Sequence, residues 1–275
     1  GTMLDSNSVI RPAVADAIQR ACRLKGVRVI IATGKARPAA IRACEIAGLA
    51  GPELLVSAKS PGLFLQGLAV HGQSGQELQD VKLNNEVVEA AFMYVQNHKK
   101  LSLVAFLGDE CVTLRMTDEL QYLHDKFYEP LAHVAHSLEA LLRGKPVRKL
   151  LFMDTTANIE RQLKPYWEED QAAFLTANQA KTIWAVSQGG YGMLELVPNT
   201  VDKWAGAQLL LKSMKIEPAN FMAVGDGWND YEMVRNAGLG VAMGNAVPEL
   251  KKIAKYVVAH HDEDGVAEAL ERFVL

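Results

Sequence analysis

The chain has 275 residues, 49% of them hydrophobic, enough for one large domain or two modest ones around a packed core. A formal net charge of -3 gives no field that would gather nucleic acid or an anionic membrane, and no apolar run reaches the roughly 18 residues of a membrane span. Cys22, Cys44 and Cys111 are odd in number, widely spaced and set in apolar or helical stretches, which predicts buried reduced thiols in the cytoplasm or another reducing soluble compartment.

Residues 12–25 carry apolar side chains at helical spacing (Val14, Ala17, Ile18, Ala21, Cys22), with Pro12 suited to a first turn and Gly26 as a stop. The β-branched run at 27–33 then predicts a strand buried on both faces. A helix over 37–47, ended by Gly48, and a short strand over 54–56 continue the alternation, which implies a parallel sheet. The rhythm changes after that. A helix over 86–98, a hairpin of 101–107 and 111–116 about Gly108-Asp109, and a helix over 119–142 broken near Pro130 are followed by a strand at 148–154. A helix over 159–174 and strands at 182–186 and 193–197 complete an α+β segment. The α/β alternation resumes with a helix over 203–214 and strands at 221–224, 240–243 and 256–258. The expected architecture is α/β, with residues 1–83 and 191–275 as the core and 84–190 inserted into it.

Val224-Gly225-Asp226-Gly227-Trp228-Asn229-Asp230 follows a buried strand and precedes a helix. In open α/β sheets the carboxyl ends of strands form the ligand crevice, so two carboxylates and an amide converge there. Hard oxygen ligands at that density suit Mg2+, which takes one or two carboxylates together with substrate phosphate. Thr33 and Gly34 end a second buried strand, where a hydroxyl and backbone N–H groups can cradle a phosphate oxygen, although the same pattern is also ordinary turn chemistry. Lys203 opens the helix at the insertion's return to the core, where an ammonium can neutralise charge on a transferring group. A lysine at a helix start contributes little to stability, so its replacement is expected to spare the fold. His260-His261 precede Asp262-Glu263-Asp264, but adjacent residues at a strand end point to opposite sides. That predicts a solvent-facing loop leading to a helix cap, not a metal cluster. The basic stretch 143–148 lacks aromatic interleaving and reads as a solvated turn.

In this order and spacing the motifs resemble the Cof-type phosphatases of the haloacid dehalogenase-like hydrolase superfamily. Thr33 matches motif II, Lys203 motif III, and Gly225-Asp226-Gly227-Trp228-Asn229-Asp230 motif IV. Met243-Gly244-Asn245-Ala246, the stretch Asp262-Glu263-Asp264-Gly265-Val266-Ala267 and the long insertion resemble the same branch, so the likeness covers nearly the whole chain. It implies a Rossmann-like three-layer core with a parallel sheet, and an inserted, mobile α/β cap that reads the leaving group. It also implies hydrolysis of a small phosphorylated metabolite, such as a sugar, nucleotide or cofactor phosphate, through an aspartyl-phosphate enzyme. Thr33 and Lys203 would be catalytic, and Thr33, Gly34, Lys203 and Asn229 would hold the phosphate. Asp226 and an outer-shell Asp230 would hold Mg2+. The expected partner is the small substrate alone, without nucleic acid or membrane, in a monomer or weak dimer.

Lys35 stands where the family often has Arg, and Trp204 where Gly often follows the lysine. Members also begin with a strand ending in Asp-x-Asp-Gly-Thr, its first aspartate the nucleophile and its second the acid/base. Gly1-Thr2-Met3-Leu4-Asp5 reads as the continuation of that pattern, which places both aspartates upstream of Gly1 and predicts that the chain as numbered is inactive without them. An organelle targeting segment further upstream is compatible with this reading. A start at Met3 is the alternative, and with it a non-catalytic phosphate-binding or regulatory protein that lacks the nucleophile.

Overall fold

Pro12 occupies the first turn of helix α1 (Pro12–Arg23), where its missing N–H leaves no bond unmade, in the computed structural model, which describes residues 1–79, 81–186 and 190–275. The helix buries Val14, Ala17, Ile18 and Ala21 along one face. Strand β1 (Ile31–Ala32) leads to helix α2 (Arg37–Ile46), then to β2 (Gly62–Phe64) and β3 (Ala69–His71). β1 pairs with β2 in parallel and β2 with β3 antiparallel, so β1 is an edge strand. This edge position corrects the expected strand over 27–33: among the described residues β1 has a ladder on one side only, Val29 and Ile30 are half-buried, and two residues pair. The strand expected at 54–56 is reduced to one bridge, Ala50 to Val56. Neither β2 nor β3 was among the expected elements.

The chain divides into two compact units, Gly1–Asp80 with Val201–Leu275, and Val81–Thr200. In the second unit, α3 (Asn85–Asn97), capped by the Asn84 side chain, precedes β4 (Ser102–Phe106), β5 (Cys111–Thr113), α4 (Asp118–Phe127), β6 (His133–Val134) and α5 (Leu138–Leu142). The helix expected over 119–142 is therefore interrupted: Tyr128 ends α4 in the left-handed region at φ 63°, and Ser137 caps a new helix. β7 (Lys149–Thr155) runs into α6 (Thr156–Asn158), π-type turns at Ile159–Leu163 and Tyr166–Asp170, and α7 (Ala172–Ala177). β8 (Ala180–Val186) and β9 (Tyr191–Pro198) complete a sheet ordered β6-β5-β4-β7-β9-β8. β9 pairs with both β7 and β8, so these residues belong to the second unit and not to a core beginning at 191. Alternate residues of the sheet, including Leu103, Phe152 and Leu194, pack with Val87, Phe92 and Trp167 in one core.

The first unit resumes with α8 (Lys203–Met214), β10 (Met222–Gly225), α9 (Tyr231–Asn236), β11 (Leu239–Ala242), α10 (Pro248–Ile253), β12 (Tyr256–Val257) and α11 (Gly265–Phe273). β10, β11 and β12 form a parallel sheet with β10 at its edge. Among the described residues the expected single parallel sheet is thus two three-stranded sheets. Leu63 and Val70 from one and Ala223 and Val241 from the other pack with Ala207 and Leu210 of α8, so one core serves both. Each buried leucine or valine of that core contributes about 1.5–3 kcal/mol. No helix among the described residues is long and apolar enough to cross a membrane.

Candidate active site

The loop after β10 is closed by Asp230. Its Oδ2 accepts the backbone N–H of Asp226 (3.0 Å) and of Gly227 (3.1 Å), and its Oδ1 accepts from Lys203 Nζ at 2.7 Å. Lys203 is placed by the first turn of α8, whose N-cap, Asp202, accepts the N–H of Ala205. Only 6% of Lys203 and 3% of Asp230 are exposed. Burial pushes the Asp230 carboxyl up, but the Lys203 ammonium and the two backbone N–H groups together hold it below the usual range. This corrects the expectation that Lys203 is structurally minor: it neutralises a carboxylate 27 positions away. With both of its oxygens engaged, Asp230 anchors the loop and the lysine.

Asp226 is different. It is half-buried, and its oxygens meet the Thr2 hydroxyl and, at 3.5 Å, the Asn245 amide. Among the described residues it has no cationic partner. Asn245 also donates to the Gly1 carbonyl (2.9 Å) and accepts the N–H of His261 (3.1 Å). The first residues of the chain therefore lie on the 226–230 loop, so close that a side chain at Gly1 would collide with the Asp226 carboxylate.

Thr33 follows β1; its N–H donates to Leu63 O (2.9 Å) and its hydroxyl accepts the N–H of Lys35 (3.2 Å), which leaves the hydroxyl proton for a ligand. Asn229 is exposed and its amide donates to Gln66 Oε1 at 2.8 Å. Gln66 thus ties the corner after β1 to the loop after β10, a link that sequence reasoning missed. Trp228, 63% exposed, stacks on Tyr231.

His260 and His261 do not point apart as expected. β12 ends at Val257 and a tight turn over His261–Glu263 brings the rings to 4.4 Å between centroids. His260, His261 and Asp262 bring possible ligand atoms within 4.8 Å of one another, and several of those atoms have partners in the protein. His260 Nδ1 accepts the N–H of Asp262, the cap that was expected here, and Asp262 accepts from the Ser6 N–H (2.7 Å) and hydroxyl (2.6 Å). His261 Nδ1 donates to Leu4 O at 2.9 Å. These contacts fasten residues 4–6 to the turn, and the Ser6 hydrogen bonds hold the Asp262 carboxyl below its ordinary range. The cysteines are free: Cys44 and Cys111 are buried and Cys22 is half-buried. Burial pushes the Cys44 thiol up to about 12.

Over 273 residues the chain is 38% identical to the chloroplastic endoribonuclease YBEY of Arabidopsis thaliana, a match that spans 99% of this chain and 45% of that protein. An 81-residue stretch, 30% of this chain, is 43% identical to a phosphoglycolate phosphatase of Methanothermobacter thermautotrophicus, covering 37% of it. The chain spans under half the length of the first of these curated relatives. Among solved structures, a haloacid dehalogenase-like hydrolase from Bacteroides thetaiotaomicron superposes with a TM-score of 0.82 at 27% identity, over 99% of this chain and 96% of that one. The sequence pattern of the haloacid dehalogenase-like hydrolases matches residues 1–270. With that coverage and the α/β fold described above, the chain belongs to the haloacid dehalogenase-like hydrolase family.

Proposed function

We propose that this chain is the phosphate-handling part of a Mg2+-dependent phosphohydrolase that cleaves a small phosphorylated metabolite. The observation that carries the reading is Asp226, a half-buried carboxylate without a cationic partner among the described residues, next to a Lys203–Asp230 pair that is already neutral. Hard oxygen donors with an unbalanced negative charge fit Mg2+. Asp226 would hold the ion, and Asp230, in the shell behind it, would fix the loop's shape through its N–H contacts. The chemistry such an ion would supply is charge neutralisation between two anions, the phosphoryl group and the nucleophile.

The chain's own groups then divide the phosphate among them. The Thr33 hydroxyl and the Gly34 N–H would take oxygens at the end of β1, and the Asn229 amide another from the loop after β10. Lys203 would keep positive charge beside the reacting group as negative charge grows. In this reading an aspartate upstream of Gly1 would attack phosphorus as the P–O bond to the substrate's alcohol breaks, a second upstream aspartate would protonate the departing oxygen, and water would then cleave the aspartyl phosphate to free phosphate. Two features support that placement: Gly1 lies against Asp226, and among the described residues β1 and β10 are both edge strands, each with one ladder side for a further strand. The second unit, Val81–Thr200, would serve as the cap that excludes water and reads the leaving group.

The test is phosphate release from p-nitrophenyl phosphate by the native protein, including the residues before Gly1. Release should require Mg2+ and stop in excess chelator. Full turnover in chelator would refute the metal assignment.

A further inference from the structure

Leu65, Gln66 and Gly67 occupy the left-handed region in succession, at φ 50°, 63° and 91°. Residues with a Cβ rarely adopt it, and two in a row need firm external support. The support is visible. Leu65 donates its N–H to Lys35 O (3.0 Å) and its side chain is fully buried; Gln66 donates its N–H to Thr33 O (3.1 Å). Gly67 packs on the start of α8, where a side chain would meet Asp202 O at 2.6 Å and Lys203 Cα at 3.1 Å, and its carbonyl accepts from Gln79. This corner therefore touches the segment after β1, the helix start that carries Lys203 and, through Gln66, the loop after β10.

Its effect is to deliver one carboxamide. Gln66 Nε2 lies against Gly34, so near that a Cβ on Gly34 would stand 2.5 Å from it, while Gln66 Oε1 accepts from Asn229 at 2.8 Å. The two residues it joins are both proposed phosphate holders, one in the segment after β1 and the other in the loop after β10. Left-handed strain of this kind persists where the surroundings over-determine it, and it gathers at functional sites. We infer that Gln66 is a positioning residue of the phosphate site, holding the Asn229 amide and the Gly34 backbone in one arrangement around a phosphoryl group. The inference rests on the phosphate-site reading above. It differs from a purely structural role, in which Gln66 is a turn residue whose amide finds a nearby partner.

The experiment uses the native protein and three variants. Gln66→Leu keeps the size and loses both amide contacts; Gln66→Gly relieves the left-handed backbone; Gln66→Glu keeps an acceptor for Asn229 and turns the group over Gly34 into a charge. Three quantities are read: Mg2+-dependent turnover of p-nitrophenyl phosphate, calorimetric affinity for inorganic phosphate with Mg2+, and the thermal midpoint. Misplaced phosphate ligands should lower kcat/KM about 10- to 100-fold in Gln66→Leu and Gln66→Gly and weaken phosphate binding to a similar degree. Gln66→Gly should do so with a midpoint equal to or above wild type. Gln66→Glu should bind phosphate weakly at pH 8 and recover as its carboxyl protonates toward acid pH, which a structural role would not produce. Wild-type phosphate affinity in Gln66→Leu, or a Gln66→Glu defect independent of pH, overturns the inference while leaving the phosphatase reading intact. A native protein that neither binds nor releases phosphate overturns that reading, and the inference with it.

Discussion

Lys203 Nζ stands 2.7 Å from Asp230 Oδ1, in a buried ion pair that ties the first turn of α8 to the loop after β10. Breaking such a pair from one side leaves a charge with neither water nor partner, whereas removing both charges leaves none.

Lys203→Met is therefore predicted to lower stability in urea denaturation by about 3–5 kcal/mol, and Asp230→Asn by a comparable amount. The double variant Lys203→Met/Asp230→Asn, which keeps an oxygen for the N–H groups of Asp226 and Gly227, should be more stable than either single variant. Single variants within about 0.5 kcal/mol of wild type would show the pair to be energetically idle.

The same pair sets an acid limit. The folded-state pKa of Asp230 is depressed below its ordinary value of 3.8, so its contribution is present above that value and is lost as pH falls through the lower folded pKa. The thermal midpoint should change little on this account between pH 7 and 5 and fall below about pH 4. Asp230→Asn should start lower at neutral pH and lose less on acidification. Parallel profiles would contradict the assignment.

Asp226 has the opposite character, since nothing cationic balances it among the described residues. Asp226→Asn should leave stability within about 0.5 kcal/mol of wild type in the absence of metal. Millimolar Mg2+ should raise the midpoint of the wild-type chain by mass action and leave that of Asp226→Asn unmoved. An equal shift in both would place the ion elsewhere.

The thiols differ by burial. Nucleophilic attack needs the thiolate, and burial raises the pKa of all three cysteines, that of Cys44 to about 12. In the native protein, Ellman's reagent should modify Cys22 slowly and spare Cys44 and Cys111 until the chain is unfolded. Rapid labelling of all three would mean that the core opens readily.

The sequence made the motif positions legible because each sits where a hydrophobic run breaks into polar residues, as at Thr33 after β1 and Asp226 after β10. The α8 boundaries were equally clear, from Asp202 as a cap to the end of the apolar periodicity. Long-range pairing was not legible. Nothing near Lys203 announces that its partner is Asp230, and without it a lysine at a helix start reads as solvated. Gln66 was hidden for a different reason: Leu-Gln-Gly reads as an ordinary turn, and only Gly67 hints at positive φ. The 27–33 run looked like a fully buried strand because composition reports the apolar surface available, not how many ladder neighbours are present to use it.

The central claim is that this chain holds the metal and the phosphate while the attacking carboxylate comes from residues before Gly1. The most direct measurement compares residues 1–275 alone with the same chain extended by the native residues that precede Gly1, following Mg2+-dependent phosphate release and thermal unfolding. The account predicts release only by the longer form, with a higher midpoint because a strand pairs with the edges of β1 and β10. Equal phosphate release by residues 1–275 alone would contradict it and would place the nucleophile within this chain.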